Sequence, residues 1–209
     1  MKRLILALTI CLLVTSAVFA APSTGQVEIK WLGHNAAPRQ LIKYYGDIDG
    51  DGTAEFDGSG LVAGYYKHDI RHTSATGEGL KVTNPLMFCV DFVGTPVESW
   101  RTADVEMPAD YLGSSEMAAD LSSLWADRYS KSFNADEAAA FQLAVWEIRH
   151  ETATDGAGNI VYDVKDGNMK VKSSYGFADT ANTWLTNLSG NSAPIRILDD
   201  GQDMLTAIP

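Results

Sequence analysis

The chain has 209 residues, of which 21% are charged, and its formal net charge at pH 7 is −11. A chain of this length can bury a substantial apolar core. The excess of carboxylates repels phosphate backbones, so we expect no nucleic acid among its partners.

Residues 1–20 have the pattern of a secretory signal peptide. Lys2 and Arg3 precede a mostly apolar run, and Ala20 supplies the small residue that a signal peptidase needs before the cut. The apolar run is shorter than the ~20 residues of a membrane-spanning helix, so a transmembrane anchor ranks second. We therefore expect residues 21–209 to form a single exported globular domain that does not insert into a membrane.

Cys89 is the only cysteine outside the predicted leader, because Cys11 is removed with it. A lone thiol in an exported chain has no internal disulfide partner and requires an explanation. One explanation is that Cys89 is a small apolar residue packed inside a strand. The other is that its sulphur reacts.

The first half of the chain predicts β-strands. Alternating or apolar runs favour strands at 27–32, 40–45, 61–66 and 85–93, with polar sequence between the last two. The 85–93 run is apolar on both faces apart from Asp91, which is typical of a central strand with Cys89 in its middle.

An acidic stretch follows the second predicted strand. Asp47, Asp49 and Asp51 occupy alternate positions before Gly52, as in the first half of an EF-hand calcium loop. The match then ends, because position twelve is Gly58 and the flanking residues do not predict helices. Two interpretations stay open: a shortened calcium loop with these three aspartates and Glu55 as ligands, or an acidic turn without metal.

The second half predicts helices. Ser114 or Ser115 caps a helix that continues to about residue 128, and Asn134 with Glu137 forms a capping box for a helix through 148. Further patterns favour a link at 108–113, a helix at 178–188 and strands at 160–164, 169–171 and 195–198. Strands followed by helices and then strands indicate an α+β fold.

Gln142 is the one polar amide on a helix whose other faces are apolar. Phe141 lies beside it, and Trp146 lies one turn beyond it. A buried carboxamide needs hydrogen-bond partners, and we expect Gln142 to meet Cys89.

These two segments together resemble the thioester domains of bacterial surface adhesins. Phe88-Cys89-Val90-Asp91 is followed, 53 positions after Cys89, by Gln142 in a Phe-Gln-Leu-Ala-Val-Trp sequence, close to the Thr-Gln-x-Ala-x-Trp pattern of that family with Phe141 in place of threonine. The resemblance covers about residues 61–150 and is closer still to thioester-like proteins that carry PEP-CTERM sorting signals. It implies a cell-surface protein anchored through a C-terminal signal that this sequence does not contain.

The resemblance also implies a chemistry and a fold. A thioester would join Cys89 to Gln142, supported by Asp91 and Trp146, and would capture an amine-bearing surface protein or polymer in a single turnover. This activity needs no cofactor, and the chain would not be an enzyme. We expect an antiparallel β-sandwich or barrel core with an inserted helical pair that carries Gln142.

Two other functions remain open. The chain could be a non-covalent extracellular binding module, stabilised by calcium. It could also be a hydrolase or transglutaminase-like enzyme in which one of four histidines activates Cys89. Those histidines are His34, His68, His72 and His150.

Overall fold

A six-stranded antiparallel barrel forms the centre of the molecule in a computed structural model, which describes residues 25–33, 38–46, 55–56, 61–72, 86–91 and 97–207. The strands follow one another around the barrel in the order β1-β6-β7-β11-β10-β8. Their bounds are β1 (Gln26–Trp31), β6 (Tyr66–His72), β7 (Leu86–Cys89), β8 (Arg101–Glu106), β10 (Ile195–Asp199) and β11 (Met204–Ala207). The mixed α and β character predicted from the sequence is confirmed.

Five shorter elements complete the strand set. The predicted strand at 40–45 divides into β2 (Arg39–Ile42) and β3 (Tyr44–Gly46), which join different sheets. Strand β2 pairs with β5 (Leu61–Gly64), and β3 lies between β4 (Glu55–Phe56) and β9 (Met169–Val171). The acidic stretch therefore connects two antiparallel strands, which differs from the helical frame of an EF-hand.

Three strands of the barrel and one short helix were not predicted. Strands β6 and β8 are polar, yet β6 buries Tyr66, His68 and Ile70 at alternate positions and exposes Arg71. The predicted link at 108–113 contains a short helix, α1 (Pro108–Leu112), and β11 follows β10 through a tight turn. A strand in a barrel buries only the side chains on its inner face, and the outward residues can be charged. Such a strand contains no continuous apolar run, so it was not recognised in the sequence.

The predicted strand at 160–164 is wrong, since the structure has there only an isolated bridge between Thr154 and Ile160. The strand predicted at 85–93 is too long. It ends at Cys89, where Val90 bends the chain, so Cys89 is the last residue of β7 and Asp91 lies outside the strand.

The predicted long helices are present as α2 (Ser115–Arg128), α3 (Ala135–His150) and α4 (Gly176–Thr186). Asn134 accepts hydrogen bonds from the main chain of Asp136 and Glu137, and the Glu137 side chain accepts one from the Asn134 N–H, which completes the capping box. Every residue of α3 from Ala138 to Ile148 is buried. The helix therefore passes through the core.

Aromatic packing holds α3 against β7. The rings of Phe88 and Phe141 have centroids 4.4 Å apart, and Phe133 lies 5.6 Å from Phe141. Phe88 precedes Cys89 in the sequence and Phe141 precedes Gln142, so the packing of these two rings fixes the relative position of Cys89 and Gln142. Across the described residues, no helix combines the length and apolarity required to cross a membrane.

Candidate functional site around Cys89

The Gln142 carboxamide is bonded to the main chain of Cys89. Gln142 Oε1 accepts a hydrogen bond from the Cys89 N–H at 3.0 Å, and Gln142 Nε2 donates one to the Cys89 carbonyl at 2.6 Å. The Gln142 side chain is fully buried, with 0% of its surface exposed. A side chain on the helix thus pairs with the strand in the way that a neighbouring strand would.

No strand of the barrel, as far as the structure describes the chain, bonds to the main-chain N–H and carbonyl of Cys89, which leaves these two groups for the Gln142 amide. The Val90 N–H bonds to the Asp203 carbonyl at 2.7 Å, so the polar groups of Cys89 point to the other side of β7. On that side the pairing with β6 ends at Tyr66, and the preceding β5 turns away to pair with β2. Gln142 supplies the donor and the acceptor that a neighbouring strand would otherwise provide. Its side chain thereby satisfies the buried N–H and carbonyl of Cys89.

The Cys89 sulphur has different partners from the Cys89 main chain. The thiol donates a hydrogen bond to the Asp91 carbonyl at 2.6 Å, and Gln202 Nε2 donates to the sulphur at 3.6 Å. Burial raises the pKa of the Cys89 thiol to about 12, outweighing the opposite effect of these two hydrogen bonds. The sulphur is therefore a neutral thiol at neutral pH, with one carboxamide beside it.

Gln202 was not among the predicted site residues. It lies in the turn 199–203, which begins at the last residue of β10 and leads into β11, and it is only 6% exposed. Its Oε1 is buried and has no hydrogen-bond partner in the described part of the chain. The chain has four glutamines, at positions 26, 40, 142 and 202, and only the last two are buried.

The 199–203 turn is held in place by charge. Arg101 Nη2 donates to Asp200 Oδ2 at 2.6 Å, and Asp200 Oδ1 accepts a hydrogen bond from the Gln202 main chain at 3.2 Å. Burial raises the pKa of Asp200 despite the favourable charge of Arg101. Asp200 bonds both to Arg101 and to the main chain of Gln202, so it holds Gln202 in its position in the turn.

Asp91 meets Cys89 through its carbonyl oxygen. Its side chain is 25% exposed, and Asp91 Oδ1 lies 3.9 Å from Nε2 of His150, the last residue of α3. We expected the Asp91 side chain to project to the same side as Cys89 by strand alternation, but the strand ends before Asp91, so alternation does not apply. The Asp91 carboxylate still lies near enough for its charge to raise the pKa of Cys89.

Trp146 and Phe141 are completely buried in the core. The Phe141 ring contacts the rings of Phe88, Trp125 and Phe133. Phe141 therefore packs as an ordinary core aromatic. Trp146, which we expected to cover the site, stands one turn beyond Gln142 inside the same core.

A second acidic group borders the site from the 199–203 turn. Asp203 Oδ2 accepts a hydrogen bond from the Tyr111 hydroxyl, while Asp203 Oδ1 is buried with no hydrogen-bond partner within the described ranges. Burial, and next the hydrogen bond to Asp203, raise the pKa of Tyr111 above its ordinary value. The Asp203 charge also raises the pKa of Cys89, by less than the charge of Asp91 does.

Glu147 is a carboxylic acid that is fully buried on α3. Its Oε1 accepts a hydrogen bond from the Asp163 N–H at 2.6 Å, and its Oε2 has no partner among the residues that the structure describes. Burial raises the pKa of Glu147 to about 9, and the charges of Glu151 and Asp163 add to the effect. Glu147 is therefore neutral at physiological pH.

The predicted calcium ligands Asp47, Asp49 and Asp51 lie outside the described residues, as does His34. Glu55 and His72 lie in β4 and β6, but their side chains are not described. No group of three or more potential metal ligands occurs within the described ranges. The calcium hypothesis therefore stays a prediction.

Comparison of the chain with protein-family models, curated proteins and solved structures gives no match. The function must be argued from the site itself.

Proposed function

We propose that the chain forms an internal thioester at Cys89 and uses it to capture an amine-bearing target covalently. The observation that carries the proposal is the presence of two buried carboxamides around one buried cysteine, one on its main chain and one on its sulphur. Proximity of this kind contributes ~7–11 kcal/mol to intramolecular reactions when the geometry is favourable.

The geometry favours Gln202 as the acyl donor and Gln142 as the positioning residue. Both polar atoms of the Gln142 carboxamide are engaged by the Cys89 main chain, and forming a thioester through Gln142 would break both hydrogen bonds. The Gln202 amide already contacts the sulphur, and its oxygen has no partner to lose in the described part of the chain. The Cys89–Gln142 thioester implied by the family resemblance remains the alternative.

The first step releases ammonia. The Cys89 sulphur attacks the Gln202 side-chain carbon, a C–S bond forms, and the C–N bond breaks. The thiol proton moves to the departing NH₂ group, which leaves as NH₃. The Gln202 nitrogen that must take this proton lies 3.6 Å from the sulphur, so the transfer is short.

The second step captures the target. A primary amine attacks the Gln202 acyl carbon, the C–S bond breaks, and the proton lost by the nitrogen returns to the sulphur. The products are an amide to the target and a free Cys89 thiol. One chain captures one amine, so the activity is covalent binding with a single turnover. Burial of Cys89 to 2% exposure favours survival of the thioester against water until the amine arrives.

Intact mass tests the proposal. The purified chain should weigh one ammonia less than its sequence requires, and Cys89→Ala should have the full mass expected for its own sequence. After incubation with methylamine, the wild-type chain should gain exactly one methylamine per chain. A wild-type chain of full sequence mass with a freely titrating thiol would contradict the thioester.

Two isosteric variants identify the acyl donor. Gln202→Glu lacks the ammonia leaving group and should abolish the mass loss, whereas Gln142→Glu should reduce its rate or yield by disturbing the position of Cys89. Gln26→Glu, on the exposed glutamine of β1, is the matched control. If only Gln142→Glu abolishes the mass loss, and mass spectrometry of digested chain joins Cys89 to Gln142, then Gln142 is the donor.

A cysteine–histidine enzyme is the second candidate, because His150 lies against Asp91 and the Asp91 carbonyl binds the thiol. Such enzymes need a histidine hydrogen-bonded to the cysteine, whereas the Cys89 thiol donates to the Asp91 carbonyl. This candidate requires many turnovers on an amide or ester substrate, with loss of activity in His150→Gln. A thioester protein would stop after one.

The proposal extends to fold and location. An antiparallel core, with a helical pair inserted to carry Gln142, suits a protein that must hold a reactive bond between a rigid strand and a rigid helix. The predicted signal peptide fits an exported or surface-displayed chain, for which a lysine-bearing surface protein or polymer is the expected target. The test of location is recovery of the processed chain, lacking residues 1–20, outside the cell.

A further inference from the structure

The capture step needs a group to take a proton. Primary amines such as lysine are protonated at neutral pH and cannot attack an acyl carbon until they lose that proton. The Cys89 thiol is neutral and is bonded to the Asp91 carbonyl before the thioester forms. A separate acceptor close to the Gln202 acyl carbon would meet the need.

Asp203 has the required position. It follows Gln202 directly in the 199–203 turn, and its carbonyl bonds to the Val90 N–H at 2.7 Å, next to Cys89. The Asp203 side chain is only partly buried, whereas Cys89 and Gln202 are buried. Of the two neighbours Gln202 and Asp203, Asp203 is therefore the one with solvent-accessible surface.

Tyr111 orients the Asp203 carboxylate. Its hydroxyl, from α1, donates to Asp203 Oδ2, which leaves Oδ1 without a hydrogen-bond partner in the described residues. The Arg149 guanidinium carbon lies 5.5 Å from the centroid of the Tyr111 ring. A carboxylate that is held by a hydroxyl and paired with the Asp199 carboxyl group can take up a proton, which suits a proton acceptor.

The charges around Asp203 are mostly negative. Asp199, on β10, has a pKa raised first by burial, next by the charge of Asp203 and then by a hydrogen bond between the two carboxyl groups, so this pair favours an approaching proton or cation. The titratable and charged groups that face this region are Asp91, Arg101, Glu106, Tyr111, Arg149, Asp199 and Asp200, with Cys89 itself. An approaching ammonium group is favoured over a neutral or anionic nucleophile.

We propose that Asp203, held by Tyr111, accepts the proton of the amine that attacks the Gln202 acyl group, and that the chain thereby takes protonated primary amines. This inference rests on the proposed thioester. The alkylammonium transfers one proton to Asp203 and becomes a neutral amine. It forms the new C–N bond as the C–S bond breaks, and the second nitrogen proton goes to the Cys89 sulphur.

The rates of addition of two nucleophiles, methylamine and hydroxylamine, distinguish a proton-accepting role of Asp203 from a purely structural one. Methylamine is almost entirely protonated at neutral pH, whereas hydroxylamine is largely uncharged. In Asp203→Asn, the rate of methylamine addition should fall by about 100-fold, the scale of general base catalysis, while hydroxylamine addition changes far less. The Asp203→Asn rate should also rise with pH in proportion to the free methylamine, more steeply than the wild-type rate.

The matched variants are Asp203→Glu, which should restore part of the methylamine rate, and Asp91→Asn, which should have a smaller effect than Asp203→Asn. Asp166→Asn, on an exposed carboxylate paired with Lys170, is the control for net charge. Equal losses with both nucleophiles, or a methylamine rate like that of the wild type, would overturn the role of Asp203.

If Asp203→Asn does not form the thioester, Tyr111→Phe decides the question, because it keeps the carboxylate and removes only its hydrogen bond. Its methylamine rate should fall while its hydroxylamine rate is maintained, and wild-type rates with both would overturn the proposal. A wild-type chain with no ammonia loss contradicts the thioester itself, and this inference with it. Ammonia loss with unaltered Asp203→Asn and Tyr111→Phe rates contradicts only the inference.

Discussion

Helix α3 and the 199–203 turn approach Cys89 from different elements, and they differ in almost every physical respect. The helix is capped and buried, and its Gln142 carboxamide has both polar atoms hydrogen-bonded to Cys89. The turn is acidic and partly exposed, and it contains buried oxygen atoms of Gln202 and Asp203 without partners among the described residues. Satisfied groups stabilise a structure, whereas unsatisfied ones are available for chemistry. We therefore infer that Gln142 on the helix positions Cys89 and that Gln202 in the turn reacts with it.

The largest expected loss of stability is that of Gln142→Ala. The substitution leaves the Cys89 N–H and carbonyl buried without partners and opens a cavity, so the free energy of unfolding should fall by about 2–5 kcal/mol. Urea unfolding measures the change, and Gln26→Ala, on the exposed glutamine of β1, is the control. A loss below that of the control would mean that α3 does not hold the strand.

Glu147→Gln tests the interior of α3 by its pH dependence. Folding raises the pKa of Glu147 to about 9, so the folded chain keeps a proton that the unfolded chain releases above its ordinary value of 4.5. Wild-type stability from this group is therefore complete below pH 4.5 and is lost as pH rises towards 9.

The glutamine variant does not titrate and still offers an acceptor to the Asp163 N–H. Relative to wild type, Glu147→Gln should gain about 4 kcal/mol of unfolding free energy between pH 5 and pH 8, from 1.36 kcal/mol per pKa unit. Unfolding curves at both pH values give the difference, in which all other titrating groups cancel. A constant difference would show that Glu147 is ionised in the folded chain.

Asn134→Ala removes the cap of α3. It leaves the main-chain N–H groups of Asp136 and Glu137 without their side-chain acceptor, at a cost of about 1 kcal/mol. Thermal or urea unfolding measures the loss, and Asn134→Asp, which keeps an acceptor, should retain most of the stability. If thioester yield also falls in Asn134→Ala, the position of the helix limits the reaction.

The smallest expected change in stability is that of Gln202→Ala. The Gln202 Oε1 has no partner in the described chain and its Nε2 makes only a weak bond to sulphur, so we expect a change of less than about 1 kcal/mol. The same variant should lose the ammonia release completely. A large loss of stability in Gln202→Ala would make the turn a structural element and remove the contrast with α3.

The sequence by itself determined the local features of this protein. The Asn134–Glu137 capping box and the apolar faces of α3 predicted the helix, and the buried Gln142 amide with the lone Cys89 predicted their contact, because capping and periodicity are recorded in neighbouring residues. No local pattern predicted that Gln142 binds the main chain of Cys89, that strand β7 ends there, or that the Gln202 amide contacts the Cys89 sulphur. Those facts depend on barrel closure and on strand pairs distant in sequence, whose partners no local pattern specifies.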